Sequence, residues 1–160
     1  MKLIQPNRAT RSYLQHLSAP PQVVFPLLCP VREADWIEGW DPLCVISRSG
    51  LAETDCVFVT AASPADAIWY ITRHEPQDTL VEMIKITPGV TACRLRIKVS
   101  PAPGGSQALV TYSHTSLGPQ GDVFVASFTE DFYREMMQNW EERLNAYLRC
   151  AAGASGAASV

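Results

Sequence analysis

Motifs that would announce a nucleotide- or metal-dependent catalyst are missing from this sequence. It has no GxGxxG, no GxxxxGK(S/T), no GxSxG and no HExxH, which removes most of the case for dinucleotide enzymes, P-loop phosphotransferases, α/β-hydrolases and zincins. Five cysteines (Cys29, Cys44, Cys56, Cys93 and Cys150) form no CxxC pair, and none has a histidine within four positions. Neither a zinc site nor a disulfide framework is therefore expected, and reduced thiols acting as small hydrophobes fit better. No two of His16, His74 and His114 are close in sequence, so metal ligation lacks support, and no cofactor is expected. Charge is sparse too. Charged residues make up 18% of the chain and the net charge is −3, with a pI near 5.6. A nucleic-acid footprint usually raises the pI above roughly 9, so a nucleic-acid partner is not expected. No apolar run approaches the ~20 residues of a membrane span, and Met1–Arg11 lacks the apolar core of a signal peptide. The expectation is a cytoplasmic domain with no membrane span.

Repeats and interdomain linkers are absent as well. Low complexity is confined to Ala151–Val160 (AAGASGAASV), small residues that can bury little to offset the entropy of ordering. The expected organisation is one domain over residues 1–150 and a disordered Ala/Gly/Ser tail over 151–160.

What the chain does have is 160 residues, 47% of them hydrophobic, enough for one substantial core. Arg8–Ser18 alternates loosely and reads as a first strand. Pro20 and Pro21 open a short apolar helix over Val23–Leu28, since proline suits a first helical turn; Pro30 separates it from a second short helix, Val31–Trp36. Six strands follow with turn residues between them: Leu43–Ser49, Glu53–Ala62, Ile68–His74, Thr79–Thr87, Val90–Ser100 and Gln107–Leu117. In Val90–Ser100, Arg94, Arg96 and Lys98 share one parity and Cys93, Leu95, Ile97 and Val99 the other, the mark of a strand with one wet face. The last element reads as one helix over Asp122–Cys150, about 42 Å long. Val125, Phe128, Phe132, Met136, Trp140, Leu144, Tyr147 and Leu148 gather on one arc. An antiparallel sheet with one wet face must cover the other, and this helix is the available cover.

That order, together with Ala19–Leu28 (APPQVVFPLL) and the stretch Cys29–Trp40 (CPVREADWIEGW), resembles the START-like helix-grip fold of the SRPBCC superfamily. The superfamily includes birch-pollen-allergen-like carriers and aromatase/cyclases. Trp69–His74 and Tyr112–Leu117 fit a bacterial branch carrying a CPxREx(E/D)WIxGW stretch. The resemblance implies an α+β fold: a seven-stranded antiparallel curved sheet wrapped around a long C-terminal helix, with two short helices after strand 1. It also implies a hydrophobic cavity between sheet and helix, but no particular chemistry.

Candidate cavity residues are Trp36, Trp40, Phe58, Trp69, Leu95, Tyr112, His114, Phe128, Phe132 and Met136. Trp36 and Trp40 read either as an aromatic rim or as wedges holding the short helices on the sheet; the neighbouring Arg32, Glu33 and Asp35 read as a charged lid or, better, as a solvated face. Phe128, Phe132, Met136 and Trp140 serve as core and cavity roof together. Tyr112 and His114 share the parity of Ala108 and Val110. Facing Ser100 with Gln107 pairs Leu95 with Tyr112 and Cys93 with His114, which turns both polar rings inward. Glu82 is ambiguous: a two-residue Pro88-Gly89 turn places it inward beside Leu95, whereas a bulge at that turn would flip it to solvent, the cheaper place for a carboxylate. Three functions fit these features. The leading one is a carrier for a small hydrophobic, lipid-like molecule; a cyclase or dehydratase acting on a hydrophobic polyketide-like substrate and a ligand-free interaction module are the others.

Overall fold

The structure, a computed structural model, describes Met1 and residues 3–157. Strands β1 (Arg8–Leu17), β2 (Cys44–Ile46), β3 (Val57–Thr60), β4 (Ala67–Glu75), β5 (Leu80–Thr87), β6 (Thr91–Ala102) and β7 (Gly105–Ser116) form one sheet. Its order is β1-β7-β6-β5-β4-β3-β2, and every pairing is antiparallel. Helix α1 (Pro21–Val24) runs into a 3-10 turn over Phe25–Leu27, and a second 3-10 turn spans Arg32–Asp35. Helices α2 (Pro119–Ser127) and α3 (Glu130–Ala157) close the chain. Among the described residues no helix is long and apolar enough to cross a membrane.

Alternation sorts the sheet into two faces. Ala108, Val110 and His114 of β7, Cys93, Leu95, Ile97 and Val99 of β6, and Val81 and Met83 of β5 are buried under the helices, while Arg94 and Arg96 lie exposed on the opposite face. A bulge between Ile71 and Arg73 of β4 shifts the parity, so His74 turns inward against the Phe25 ring at 5.1 Å.

The β5–β6 connection decides Glu82. Thr87 pairs with Thr91, and Gly89 sits at φ +73°, a conformation glycine adopts without a Cβ penalty. The loop therefore holds three residues rather than two, and the register slips by one. Glu82 pairs with Arg96 on the wet face, and Lys85 pairs with Cys93 on the inner one.

One expectation for the C-terminal region is corrected. The single helix from Asp122 is two helices, broken at Phe128–Thr129. Thr129 caps the start of α3: its Oγ1 accepts from the Phe132 amide at 3.2 Å and its carbonyl from the Tyr133 amide at 3.0 Å. Glu130 and Asp131 follow in the first turn, where acidic groups suit the helix dipole. The break also resets the helical phase. Tyr133, Met137, Leu144 and Leu148 face the core, and Phe132, expected to face the sheet, is 50% exposed. At the other end α3 carries on through Ala151 to Ala157, into the stretch assigned to the tail, since alanine favours helix more than any other residue. Residues 158–160 of that stretch lie outside the described residues.

Three polar anchors fix α3 along β1 and β7. Tyr133 Oη donates to the Val110 carbonyl at 2.7 Å, and Gln15 Nε2 donates to the Met137 carbonyl at 3.2 Å. Asn145 donates to the His16 carbonyl at 2.8 Å and accepts from the Ser18 amide at 2.9 Å. The Thr129 cap is testable by itself. Thr129→Ala should lower stability by about 1 kcal/mol in chemical denaturation, and Thr129→Ser should restore it; no loss with alanine would refute the cap.

Candidate ligand cavity

Because α2 and α3 meet at a kink above the strands, they roof a cavity of about 310 Å³. Its wall follows from strand parity. Phe58, Trp69, Met83, Leu95 and Tyr112 line it from successive strands, Phe124, Phe128, Phe132, Met136, Met137 and Trp140 from the helices, and Trp40 closes one end. Of the sequence-derived candidates, nine border this space. Trp36 is the exception: it donates from Nε1 to the Leu27 carbonyl at 3.0 Å and packs edge-on against Trp140 at 5.4 Å, outside the lining. It is a wedge, and the rim reading fails for it. Trp40 combines both roles, donating to the Pro30 carbonyl at 2.6 Å while lining the cavity.

The wall is largely aromatic. Phe58 and Trp69 stack at 5.2 Å with 9° between planes. Tyr112 and His114 stack at 5.8 Å, two residues apart on one face of β7, and pair with Leu95 and Cys93 as the register implied. Phe124 and Phe128 meet the His114 ring edge-on at 4.8 and 4.6 Å. His114 is only 4% exposed, and among the described residues its Nδ1 is buried without a hydrogen-bond partner.

Two charged-type residues join them, and neither was among the candidates. Glu33, assigned to a solvated face, is 9% exposed and lines the cavity, whereas Arg32 and Asp35 pair with each other at 2.6 Å nearer the surface. A 3-10 turn of four residues has no periodicity long enough to reveal which side chain points in. Lys85 lines the cavity from β5, with Nζ 4.9 Å from the centroid of the Trp69 ring. Its parity with Val81 and Met83 was visible in the sequence, but the inward direction depends on the register slip at Gly89.

Electrostatically, the cavity favours neutral forms. Burial pushes the Glu33 carboxyl up to about 8. Burial, then the nearby Lys85 charge, pushes His114 down to about 4. Burial raises the Cys93 thiol to about 12 and the Tyr112 hydroxyl well above its usual range. Lys85 is lowered, again chiefly by burial. Near pH 7 the cavity therefore presents a neutral imidazole, a phenol and a protonated carboxyl: hydrogen-bonding groups set in an aromatic box.

No family model and no curated protein matches the sequence. Among solved structures, the chain is similar to a protein from Rhizobium leguminosarum, at 14% identity and a TM-score of 0.63 over 91% of this chain and 97% of that one. It is similar to Ara h 8.0201, at 12% identity and a TM-score of 0.62 over 90% and 99%. A third is norcoclaurine synthase from Thalictrum flavum, at 11% identity and a TM-score of 0.65 over 92% and 98%. Likeness at these identities is likeness of fold. The fold is the helix-grip fold expected from the sequence.

Proposed function

We propose that the protein binds a small, mostly apolar molecule in the cavity under α2 and α3, anchoring one polar group of it on Tyr112 and His114. The observation that carries this reading is the buried Nδ1 of His114, a polar atom without a protein partner, on a ring that lines an aromatic-walled cavity. Buried polar atoms are normally paired, and a ligand group that pairs this one gains more than it would in water. At about 310 Å³ the cavity lies at the low end of small-molecule sites, roughly 300–1,000 Å³. It suits a one- or two-ring compound or a short chain better than a large lipid. A cytoplasmic setting is part of the proposal.

Native mass spectrometry of the purified protein tests for a co-purified molecule. Titration with apolar ring compounds should quench or shift the fluorescence of Trp40, Trp69 and Trp140, and raise the melting temperature, since a ligand held only by the native state stabilises it. The double variant Tyr112→Phe, His114→Gln should weaken binding about tenfold or more while leaving the fold intact. A broad panel that moves neither fluorescence nor melting temperature would replace this reading with the ligand-free interaction module.

A second reading, catalysis of cyclase or dehydratase type, is favoured by the convergence of Glu33, Lys85, Tyr112 and His114 on one water-poor space. In that case the double variant should lose turnover by roughly 10²–10⁴-fold with ligand affinity little changed.

A further inference from the structure

The chain has three lysines, Lys2, Lys85 and Lys98, and Lys85 differs in kind from an ordinary surface lysine. Lys98, two residues beyond Arg96 on β6, donates from Nζ to the Asp78 carbonyl. Lys85 lies inside the cavity with its amine over the Trp69 face. The ion pairs among the described residues are Arg11–Glu130, Arg32–Asp35, Arg73–Glu75 and Arg134–Asp131; none includes Lys85. The titratable groups around it are Cys93 opposite on β6, His114 on β7 and Glu33 on the 3-10 turn. None of the three supplies a fixed negative charge near pH 7.

We propose that Lys85 captures a carbonyl: an aldehyde carried into the cavity by an apolar tail forms a reversible imine with its Nζ. This rests on the cavity binding small apolar molecules, as proposed above. Imine formation needs an unprotonated amine, a site that holds the carbonyl against it, and an acid to remove the oxygen. A lysine in the cavity wall that belongs to no ion pair favours the first, because burial lowers its proton affinity. The Trp69 face pulls the other way, toward the ammonium. The Nζ lone pair attacks the carbonyl carbon, and the oxygen takes up a proton to give a carbinolamine as nitrogen loses one. The hydroxyl, protonated by a cavity acid, then leaves as water while the nitrogen lone pair closes the C=N bond, and the iminium so formed returns its N–H proton to the conjugate base of that acid. Amine plus aldehyde becomes imine plus water, with no change of oxidation state. The neutral Glu33 carboxyl and the Tyr112 hydroxyl line the same space as proton donors.

The test is reductive trapping of the intact protein with octanal and sodium cyanoborohydride near pH 7, followed by peptide mapping of the N-octyl group. Lys85 should label about tenfold or more faster than Lys98, and in guanidinium the two should label alike. An excess of 1-octanol, which has the tail without the carbonyl, should slow labelling at Lys85 and not at Lys98. Lys85→Arg should remove the internal label. If octanol raises the melting temperature and Lys85 labels no faster than Lys98, the imine is refuted while the binding reading stands. Fast labelling at Lys85 that octanol does not slow would mark a merely accessible amine and refute it equally. Neither labelling nor stabilisation would overturn both.

Discussion

Phe128→Ala should lower the unfolding free energy by about 3–5 kcal/mol, the range for truncating a buried aromatic, whereas Phe132→Ala should cost less than about 1 kcal/mol. The two residues are one helical turn apart in sequence, and a continuous helix would bury both. The kink separates them. Phe128 is 2% exposed and sits at the junction of α2 and α3, within 4.6 Å of the His114 ring, 5.4 Å of Tyr133 and 5.9 Å of Phe124. Phe132 is 50% exposed and touches Phe128 edge-on at 6.1 Å over the cavity mouth. Urea denaturation of both variants, with exposed Glu135→Ala as a control within about 0.5 kcal/mol, measures the difference. Equal losses at positions 128 and 132 would refute the break at Thr129. Phe132→Ala should instead be felt in ligand binding, because that ring closes the roof.

A comparably large effect is expected at Glu33, and it depends on pH. A carboxyl with an ordinary value of 4.5, raised to about 8 by burial, holds a proton in the folded state that the unfolded chain has already released. Between those two values the native state binds more protons than the unfolded state, so this group makes stability fall as pH rises, by about 1.4 kcal/mol per pH unit. Below pH 4.5 it contributes nothing; above about 8 the penalty is constant. Glu33→Gln keeps the shape and removes the titration. The stability difference between Glu33→Gln and the unaltered protein should therefore grow across that window, to as much as about 5 kcal/mol on the alkaline side. His114 acts oppositely. Its value is lowered from 6.5 to about 4, so it makes stability rise with pH between those limits. Where the windows overlap, between 4.5 and 6.5, the two slopes offset each other, and the decline due to Glu33 should emerge above pH 6.5. Denaturation curves at several pH values check this. A difference between the two proteins that stays constant with pH would mean that Glu33 is solvated, and would return it to the surface.

Several parts of the site were legible without coordinates, each for a nameable reason. Arg94, Arg96 and Lys98 cannot be buried in one row, so Leu95 and Ile97 had to face inward. A paired neighbour then carries that direction across the hairpin, which turns Tyr112 and His114 toward the cavity. Glu82 and Lys85 resisted the same reasoning, because each parity of β5 holds one charged residue and the decision passes to the turn at Pro88–Val90. Glu33 resisted it more strongly. Its neighbours Arg32 and Asp35 make a convincing wet patch, and three charged residues in four positions read as surface.

The C-terminal region carries the same lesson. Apolar spacing over Val125–Leu148 placed a helix over the sheet, yet the local sequence Ser127-Phe128-Thr129-Glu130-Asp131 also encodes a helix start, a hydroxyl cap followed by two acids. Periodicity averages over many turns and passes smoothly across a two-residue break, while capping is a local signal. Reading the cap would have moved Phe132 off the buried face and brought in Tyr133 and Met137.

The helix-grip architecture was what the resemblance implied; from its residues alone the sequence determined the order of elements, the antiparallel meander, and the wet and dry faces of β6 and β7. These follow from local propensity and from the rule that one row of side chains cannot be both charged and buried. Only the tertiary structure decided where α2 ends and α3 begins in space, which member of the 32–35 turn points inward, and that Lys85 reaches over Trp69. Those outcomes depend on a one-residue slip at Gly89 and on the packing of segments far apart in the chain. Such choices are made by whichever contacts survive when sheet and helices close on each other, and no window of neighbouring residues contains them.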